Sequence, residues 1–349
     1  MPACRIRARI ARSVPTAAGF VATLGTASTG CQGSDVFLGG GSMMTAGAPA
    51  ASATGGQSGT GGASASGGAA GKSGVAGTSG AAAGPLGDFG PPRLIAELSD
   101  PDYDDDDPTL TADLTEIYFS SGRPGGLGGS DVWRATRASA TGPWGPPVNV
   151  PELSSVGDET SVALSPDGLT LFIGTNREGG TGDFDIWQST RRSLGSAWSL
   201  PVPVSELNTV GADVIRSMDA TGLLLAGRTR PSDSSRFDLF FATRLDQASP
   251  WTDLSPVSEI NTGDNEADPF LTPDAHMLFF TASRASTEGD DLFVTTRGSA
   301  QGPFGAIEPL VQLNGPGRDS DAWVSEDLRV IYFASDRDGD LLNIYEASR

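Results

Sequence analysis

One sequence motif recurs five times along this 349-residue chain, and this repeat restricts the possible folds more than any other feature. In each copy an apolar segment ends near an Arg, and a short loop then leads to an acid or amide, an aliphatic residue and an aromatic residue. The acid or amide positions are 54, 53, 53 and 52 residues apart, at Asp131, Asp185, Asp238, Asp291 and Asn343. Such a period indicates one copied supersecondary unit that buries its apolar faces against its neighbours.

Two series of Arg residues keep the same period. The first follows the second strand of each copy, at Arg123, Arg177, Arg230, Arg284 and Arg337, and the other closes the third strand, at Arg137, Arg191, Arg244, Arg297 and Arg349. A catalytic site needs different groups from different copies, so charges that recur in every copy favour structural pairing. The repeated aromatic residues are predicted to be core residues on the same ground, at Trp133, Trp187, Phe240, Phe293 and Tyr345.

Apolar and polar residues alternate within each copy, which indicates short strands and not helices. The second copy predicts strands over 160–164, 169–174, 185–190 and 198–204, with a Ser-Pro-Asp-Gly turn at 165–168. Four antiparallel strands in about 53 residues are typical of one propeller blade.

The two ends of the repeat region predict a closed ring. The fifth copy stops at Arg349, one strand short of the others, whereas Glu97-Leu98-Ser99 ahead of the first copy matches Glu152-Leu153-Ser154 at the end of a fourth strand. We therefore predict an all-β, five-bladed β-propeller of four-stranded antiparallel blades, with the last blade closed by residues 93–98. Closure removes the sheet edges that would otherwise pair with other molecules.

These residues resemble a known family. The Ser165-Pro166-Asp167-Gly168 and Thr272-Pro273-Asp274 turns, the Tyr118-Phe119-Ser120-Ser121 strand end and the Asp-aliphatic-aromatic triplets are similar to the WD40-like repeats of TolB-type propellers, over residues 91–349. The resemblance implies an extracytoplasmic bacterial propeller that binds a partner in the cell envelope. The copy beginning at Ala212 departs most, because its turn lacks the Ser-Pro-Asp-Gly sequence and Arg228 interrupts its second strand.

The first part of the chain predicts export. A basic leader, an apolar stretch and small residues before Cys31 form a secretion signal of the lipoprotein type over 1–31. Cys31 would then be acylated; ordinary cleavage near Ala27, which leaves Cys31 a free thiol, is the alternative. Residues 32–90 are rich in Gly, Ala, Ser and Thr, a composition typical of a disordered tether. The propeller is assigned to residues 91–349.

Charge narrows the choice of partners. Of 23 basic and 43 acidic residues in the chain, 18 Arg and 41 acids fall in the propeller, a net charge of −23. This charge disfavours nucleic acid and anionic membrane surfaces and favours cations, although acidity also serves solubility alone. We expect a monomer that contacts a membrane only through lipidated Cys31, with no intramolecular disulfide in the exported chain.

Two groups of acids are candidate sites. The run formed by Asp102, Asp104, Asp105, Asp106 and Asp107 suits Ca²⁺, which binds six to eight oxygen atoms in a flexible shell. Hydrogen-bonding turn groups are the alternative, because Asp107, Asp268 and Asp321 share one repeat position. The acids expected near the channel mouth, where inner strands begin, are Asp107, Glu159, Asp213, Glu266, Asp268 and Asp321.

The function predicted is that of a non-enzymatic binding propeller for an envelope protein, peptide or glycan. The alternative is a glycoside hydrolase, which would need two or three of the channel carboxylates. His276 is the only histidine and has no nucleophile elbow, which disfavours a Ser-His-Asp triad. No cofactor other than Ca²⁺ is expected.

Overall fold

The computed structural model describes residues 88–219, 224–230, 233–245, 249–252, 254–284 and 289–349. The predicted signal at 1–31, Cys31 and most of the tether at 32–90 lie outside the described residues. In the described part of the chain, no helix has the length and apolar character needed to cross a bilayer.

The described strands form five antiparallel sheets of four strands each, and each sheet is one blade. Blade 1 consists of β2 (Asp105–Leu110), β3 (Glu116–Ser121), β4 (Asp131–Thr136) and β5 (Val148–Asn149). Blade 2 consists of β6 (Glu159–Leu164), β7 (Thr170–Thr175), β8 (Asp185–Thr190) and β9 (Val202–Pro203). Blade 3 consists of β10 (Asp213–Met218), β11 (Leu224–Arg230), β12 (Asp233–Ala242) and β13 (Ser255–Pro256). Blade 4 consists of β14 (Asn265–Leu271), β15 (Met277–Ser283), β16 (Asp291–Thr296) and β17 (Ile307–Pro309). Blade 5 consists of β18 (Asp319–Val324), β19 (Val330–Ser335), β20 (Asn343–Ser348) and β1 (Arg93–Leu94).

The ring closes as the sequence predicts. Strand β1 pairs with β20 through Arg93 opposite Glu346 and Leu94 opposite Tyr345. Closure also extends further toward the N-terminus than residue 93, because the Gly90 amide donates to the Ser348 carbonyl at 2.8 Å and Phe89 is buried. The five-bladed all-β propeller is thus confirmed. The closing strand itself covers only Arg93–Leu94 of the predicted 93–98, whereas hydrogen bonds to β20 extend from Gly90 to Ile95.

The outer strands are shorter than the sequence suggests. In blade 2 the fourth strand covers only Val202–Pro203 of the predicted 198–204, and Trp198 is instead a buried core side chain. The third strand of blade 3 begins at Asp233, five residues before the repeat position Asp238. Apolar side chains fill the spaces within and between the blades, so the core is distributed around the ring.

Every inner strand carries a β-bulge where it passes the axis of the propeller. The pairing register shifts after Asp106, Thr160, Ile215, Ala267 and Ser320. In four blades the bulge places a residue in the left-handed region, with φ of 59° at Asp107, 51° at Ser161, 46° at Asp268 and 61° at Asp321. Asp tolerates this conformation better than most residues, which fits its recurrence there. The bulges determine which side chains meet at the centre.

Candidate functional site: the plugged channel and its cavity

The first acid of each inner strand is fully buried and faces an arginine that lies in or just after the second strand of the same blade. The five pairs are Asp105 with Arg123, Glu159 with Arg177, Asp213 with Arg228, Glu266 with Arg284, and Asp319 with Arg337. Three predicted channel acids, Glu159, Asp213 and Glu266, therefore belong to this repeated ion pair. Each arginine also donates to a carbonyl of the segment that leaves the preceding blade, at Leu98, Leu153, Leu207, Ile260 and Leu313.

Both arginine series also cover aromatic rings. In the first series the Arg177 guanidinium lies 5.3 Å from the Trp187 ring centre. In the second series Arg191 lies 4.6 Å from Trp198, and in blade 5 Arg349 lies 4.6 Å from Phe89. Stacking of this kind stabilises a guanidinium that has left water. These contacts give the repeated arginines a structural role.

Burial changes the acidity of two of the repeated acids. It raises the pKa of Asp105 to about 6, against the opposing effect of the Arg123 guanidinium. It also raises the pKa of Glu159, although Ser155 and Arg177 act in the opposite direction. Neither residue lines the cavity beside the propeller axis that is described below.

The repeat Asp residues at the start of the third strand have a different role. Asp185 accepts hydrogen bonds from the Thr181 and Gly182 amides, at 2.6 Å and 3.1 Å. Asp131 accepts equivalent bonds from Leu127 and Gly128. In blades 1 and 2 these carboxylates hold the Gly-rich loops, whereas in blade 3 the repeat acid, Asp238, pairs with an arginine of the predicted series, Arg230.

In the described part of the chain, the centre of the propeller holds one guanidinium. Arg216 of blade 3 reaches across the axis, with Nη1 2.7 Å from Asp107 Oδ1 in blade 1 and Nη2 3.5 Å from Asp321 Oδ1 in blade 5. The three side chains are only 3%, 5% and 4% exposed, respectively. Asp107 also accepts hydrogen bonds from Thr160 Oγ1, the Ser161 amide and Ser120 Oγ. We call this set of Arg216, Asp107 and Asp321 the channel plug.

The channel plug keeps its members charged. Burial acts to raise the pKa of Asp107, but the Arg216 guanidinium and the hydrogen bonds outweigh it, so the pKa is lower than usual. Burial acts to lower the pKa of Arg216, but Asp107, Asp321 and Asp268 together raise it. Removing one member would leave an unpaired buried charge, which costs several kcal/mol. This buried charge network links blades 1, 3 and 5 near the axis.

A cavity of about 620 Å³ lies on one side of the channel plug. Arg216 is part of its wall, as are the aromatic rings of Phe270 and Trp323, whose centres are 6.0 Å apart. The last residue of every inner strand also lines it, at Leu110, Leu164, Met218, Leu271 and Val324. The volume lies in the range of small-ligand sites, and the wall is mostly apolar with a few polar groups, as in such sites. We call this the turn-side cavity, because its mouth is formed by the turns between first and second strands.

The acids predicted to bind Ca²⁺ do not converge. Asp102 is exposed, Asp104 accepts from the Leu342 amide, Asp105 pairs with Arg123, Asp106 accepts from Ser120 Oγ, and Asp107 belongs to the channel plug. Among the described residues there is no group of three or more His, Cys, Asp or Glu placed to hold a metal ion. Calcium binding stays a prediction, and the geometry favours the alternative of hydrogen-bonding and ion-pairing groups.

The two acids of the channel plug were predicted from the sequence as channel-mouth residues, but their partner Arg216 was not. Asp107, Asp268 and Asp321 share one repeat position, whereas the next position holds Pro108, Val162, Arg216, Pro269 and Ala322 in the five blades. A lone Arg among apolar residues at a repeat position was the available signal. It identifies the blade that breaks the symmetry.

Comparisons with known proteins find similar structures only. No protein-family model and no curated protein matches the sequence. Similar solved structures include the putative TolB from Agrobacterium tumefaciens, at 15% identity over 66% of this chain and 69% of that one, with a TM-score of 0.44. The TolB from Acinetobacter baumannii is 13% identical over 69% of this chain, which spans 53% of that protein, with a TM-score of 0.45. The endo-arabinase from Bacteroides thetaiotaomicron is 13% identical over 75% of this chain and 97% of that one, with a TM-score of 0.47.

Proposed function

We propose that this chain is a non-enzymatic binding propeller of the bacterial cell envelope, which recognises a partner at the turn-side cavity. One observation carries the proposal. Arg216 pairs with the central carboxylates of Asp107 and Asp321 and leaves beside them a cavity of about 620 Å³ with an apolar, aromatic wall. Such a cavity is suited to hold part of a protein, peptide or glycan.

The same proposal includes where the propeller is placed. The order of basic, apolar and small residues before Cys31 supports export and acylation of that cysteine. A segment of Gly, Ala, Ser and Thr between the cysteine and the propeller would let the propeller turn while it remains anchored. The propeller would act as a monomer.

A glycoside hydrolase is the competing proposal, and the electrostatics do not favour it. Such an enzyme needs one carboxyl group that stays protonated as the acid, next to a second, ionised carboxylate. The pKa of Asp107 is lowered, which makes it a poor acid, and its Oδ1 is held by Arg216. The pKa of Asp105 and of Glu159 is raised, but both are paired with arginines and lie outside the cavity wall. This distribution supports binding over hydrolysis.

The proposal is tested by capturing partners from an envelope extract with the full-length chain and with a variant whose cavity is filled. Ala112 is exposed and lines the cavity, so Ala112→Trp should fill the mouth without disturbing the core. Ala140→Trp, at an exposed site outside the cavity wall, is the matched control. We expect a partner, identified by mass spectrometry, that the wild type and the control retain and the filled variant loses. Equal capture by all three proteins would move the binding site elsewhere.

Hydrolysis is tested separately with the same proteins. The wild type is incubated with envelope and plant polysaccharides, and reducing ends are measured. Turnover that disappears in an Asp107→Asn variant shown by urea unfolding to be still folded would replace the binding proposal with the hydrolase.

A further inference from the structure

The mouth of the turn-side cavity is surrounded by carboxylates. In four blades the turn between the first two strands presents an exposed Asp, at Asp113, Asp167, Asp274 and Asp327. Each is held by its own turn; Asp167, for example, accepts from Ser165 Oγ at 2.6 Å and from the Leu169 amide at 3.0 Å. Glu326 adds another exposed acid and, with Asp167, lines the cavity itself.

Hydrogen bonding keeps three of these turn carboxylates ionised. The pKa of Asp327 is lowered by Ser325 Oγ and the Arg329 amide. Burial acts to raise the pKa of Asp113 and of Asp274, but hydrogen bonds from their turns outweigh it and lower both. A mouth that stays negative over a wide pH range attracts cations and repels anions.

The inside of the cavity adds two further requirements. Phe270 and Trp323 offer aromatic surface, which favours an apolar body and tolerates a cation against its face. Arg216 also lines the cavity, and its buried Nε has no hydrogen-bond partner in the described part of the chain. Since both Nη atoms of Arg216 face the carboxylates of the channel plug, the Nε–H is the group left to meet an acceptor such as a carbonyl oxygen.

We infer that the turn-side cavity takes a short cationic peptide segment, with an apolar side chain against Phe270 and Trp323 and an adjacent Lys or Arg facing Asp167 and Glu326. A backbone carbonyl of the segment would accept from Arg216 Nε. The second arginine of the wall, Arg244, is stacked with its guanidinium 4.3 Å from the Trp251 ring centre. The exposed acids at the mouth outnumber this one positive charge. This inference rests on the proposed function, because it names the chemistry of the partner at the same cavity.

Three blocked dipeptides of matched size test it by calorimetric titration into the full-length chain: acetyl-Phe-Lys-amide, acetyl-Phe-norleucine-amide and acetyl-Phe-Glu-amide. We expect the Lys peptide to bind at least tenfold more tightly than its neutral analogue, with no detectable binding of the Glu peptide. Asp167→Asn combined with Glu326→Gln should remove the tenfold preference, since Asn can still cap the turn. Ala112→Trp should abolish binding of the Lys peptide.

The control separates the cavity from the general acidity of the propeller. Glu178→Gln with Asp183→Asn removes the same charge from exposed positions in the Gly-rich loop of blade 2, at the opposite ends of the strands. It should leave the preference unchanged. Equal affinity for the Lys and norleucine peptides, no binding of the Lys peptide at millimolar concentration, or equal loss in both double variants would overturn the inference. A partner captured by the wild type and lost in Ala112→Trp would still support the proposed function in each of these cases.

Discussion

Arg228 lies directly opposite Asp213 on the neighbouring strand and forms with it the ion pair that the other blades make with an arginine two residues further along. In blade 1, for comparison, Asp105 lies opposite Ser121 but pairs with Arg123. The arginine of blade 3 that matches Arg123 in sequence is Arg230. It points instead to Asp238 and to blade 4, where it donates to the Thr262 and Gly263 carbonyls.

Because Arg228 and not Arg230 pairs with Asp213, we can predict which of these two arginines of blade 3 stabilises the fold more. Arg228→Gln should lower the free energy of unfolding by about 3–5 kcal/mol, because Asp213 would be left buried and unpaired. Arg230→Gln should cost less, on the order of 1 kcal/mol, since the Asp238 side chain is 25% exposed. The buried Glu266, which lies 3.4 Å from Arg230, would keep its ion pair with Arg284 and its hydrogen bonds from Thr262. Urea unfolding of both variants measures the difference. A larger loss for Arg230→Gln would show that the sequence register, and not the observed pairing, determines the role.

The channel plug gives a second prediction. Arg216→Met should destabilise the protein by about 3–5 kcal/mol, because Asp107 and Asp321 would face each other across the axis without a counter-charge. Adding Asp107→Asn and Asp321→Asn to Arg216→Met should recover most of the loss, since Asn tolerates the left-handed φ at both bulges. Urea unfolding at neutral pH compares the single and triple variants. No recovery in the triple variant would mean that the stem of Arg216, and not its charge, stabilises the centre.

The repeat made the architecture predictable because each copy carries the same pattern of strands and turns. The number of blades, the strand order and closure by the segment before the first copy all follow from residues that recur. A contact made by a residue outside the recurring segments was not predicted. Phe89 occupies in blade 5 the place under Arg349 that Trp144 occupies under Arg137 in blade 1, but it lies outside the segment predicted to close the ring.

The candidate site was less predictable, because it depends on contacts across the axis. The sequence places Asp107 and Asp321 in one register, but the blade 3 residue that reaches both is Arg216, more than 100 positions from either. No local sequence pattern specifies the contact of Arg216 with these two acids. The acid Glu159, which was predicted to lie at the channel mouth, occupies a repeated position. It pairs with Arg177 of the same blade, and Arg177 also donates to the Leu153 carbonyl in the segment that leaves blade 1.

Two buried acids should give opposite dependences of stability on pH. The pKa of Asp105 is raised from 3.8 to about 6, so the folded state holds this proton more tightly than the unfolded state. Its contribution to stability is complete below the unfolded pKa and is lost as the pH rises toward about 6, by on the order of 3 kcal/mol. Asp105→Asn should remove this loss.

For Asp107 the sign is reversed, because its folded pKa is lowered from 3.8. Its contribution to stability is present above the ordinary Asp pKa and is lost as the pH falls through the lowered value. Asp107→Asn should therefore be less stable than wild type at neutral pH and approach it in acid. Urea midpoints between about pH 2.5 and 7.5 test both variants, and parallel curves for wild type and either variant would contradict the assignment of that residue.

The closing segment should matter to stability well beyond its two paired residues. Phe89→Ala removes a ring that is 5% exposed and lies 4.6 Å from the Arg349 guanidinium, and we expect a loss of about 2–4 kcal/mol. Asp88→Ala, at the exposed neighbouring position, is the matched control and should change stability by less than about 0.5 kcal/mol. Deleting residues 88–98 should go further and leave the outer edge of β20 unpaired, which favours association through that edge. Urea unfolding of the point variants and light scattering of the deletion measure these effects; a monomeric, fully stable deletion would show that the ring does not need its closing strand.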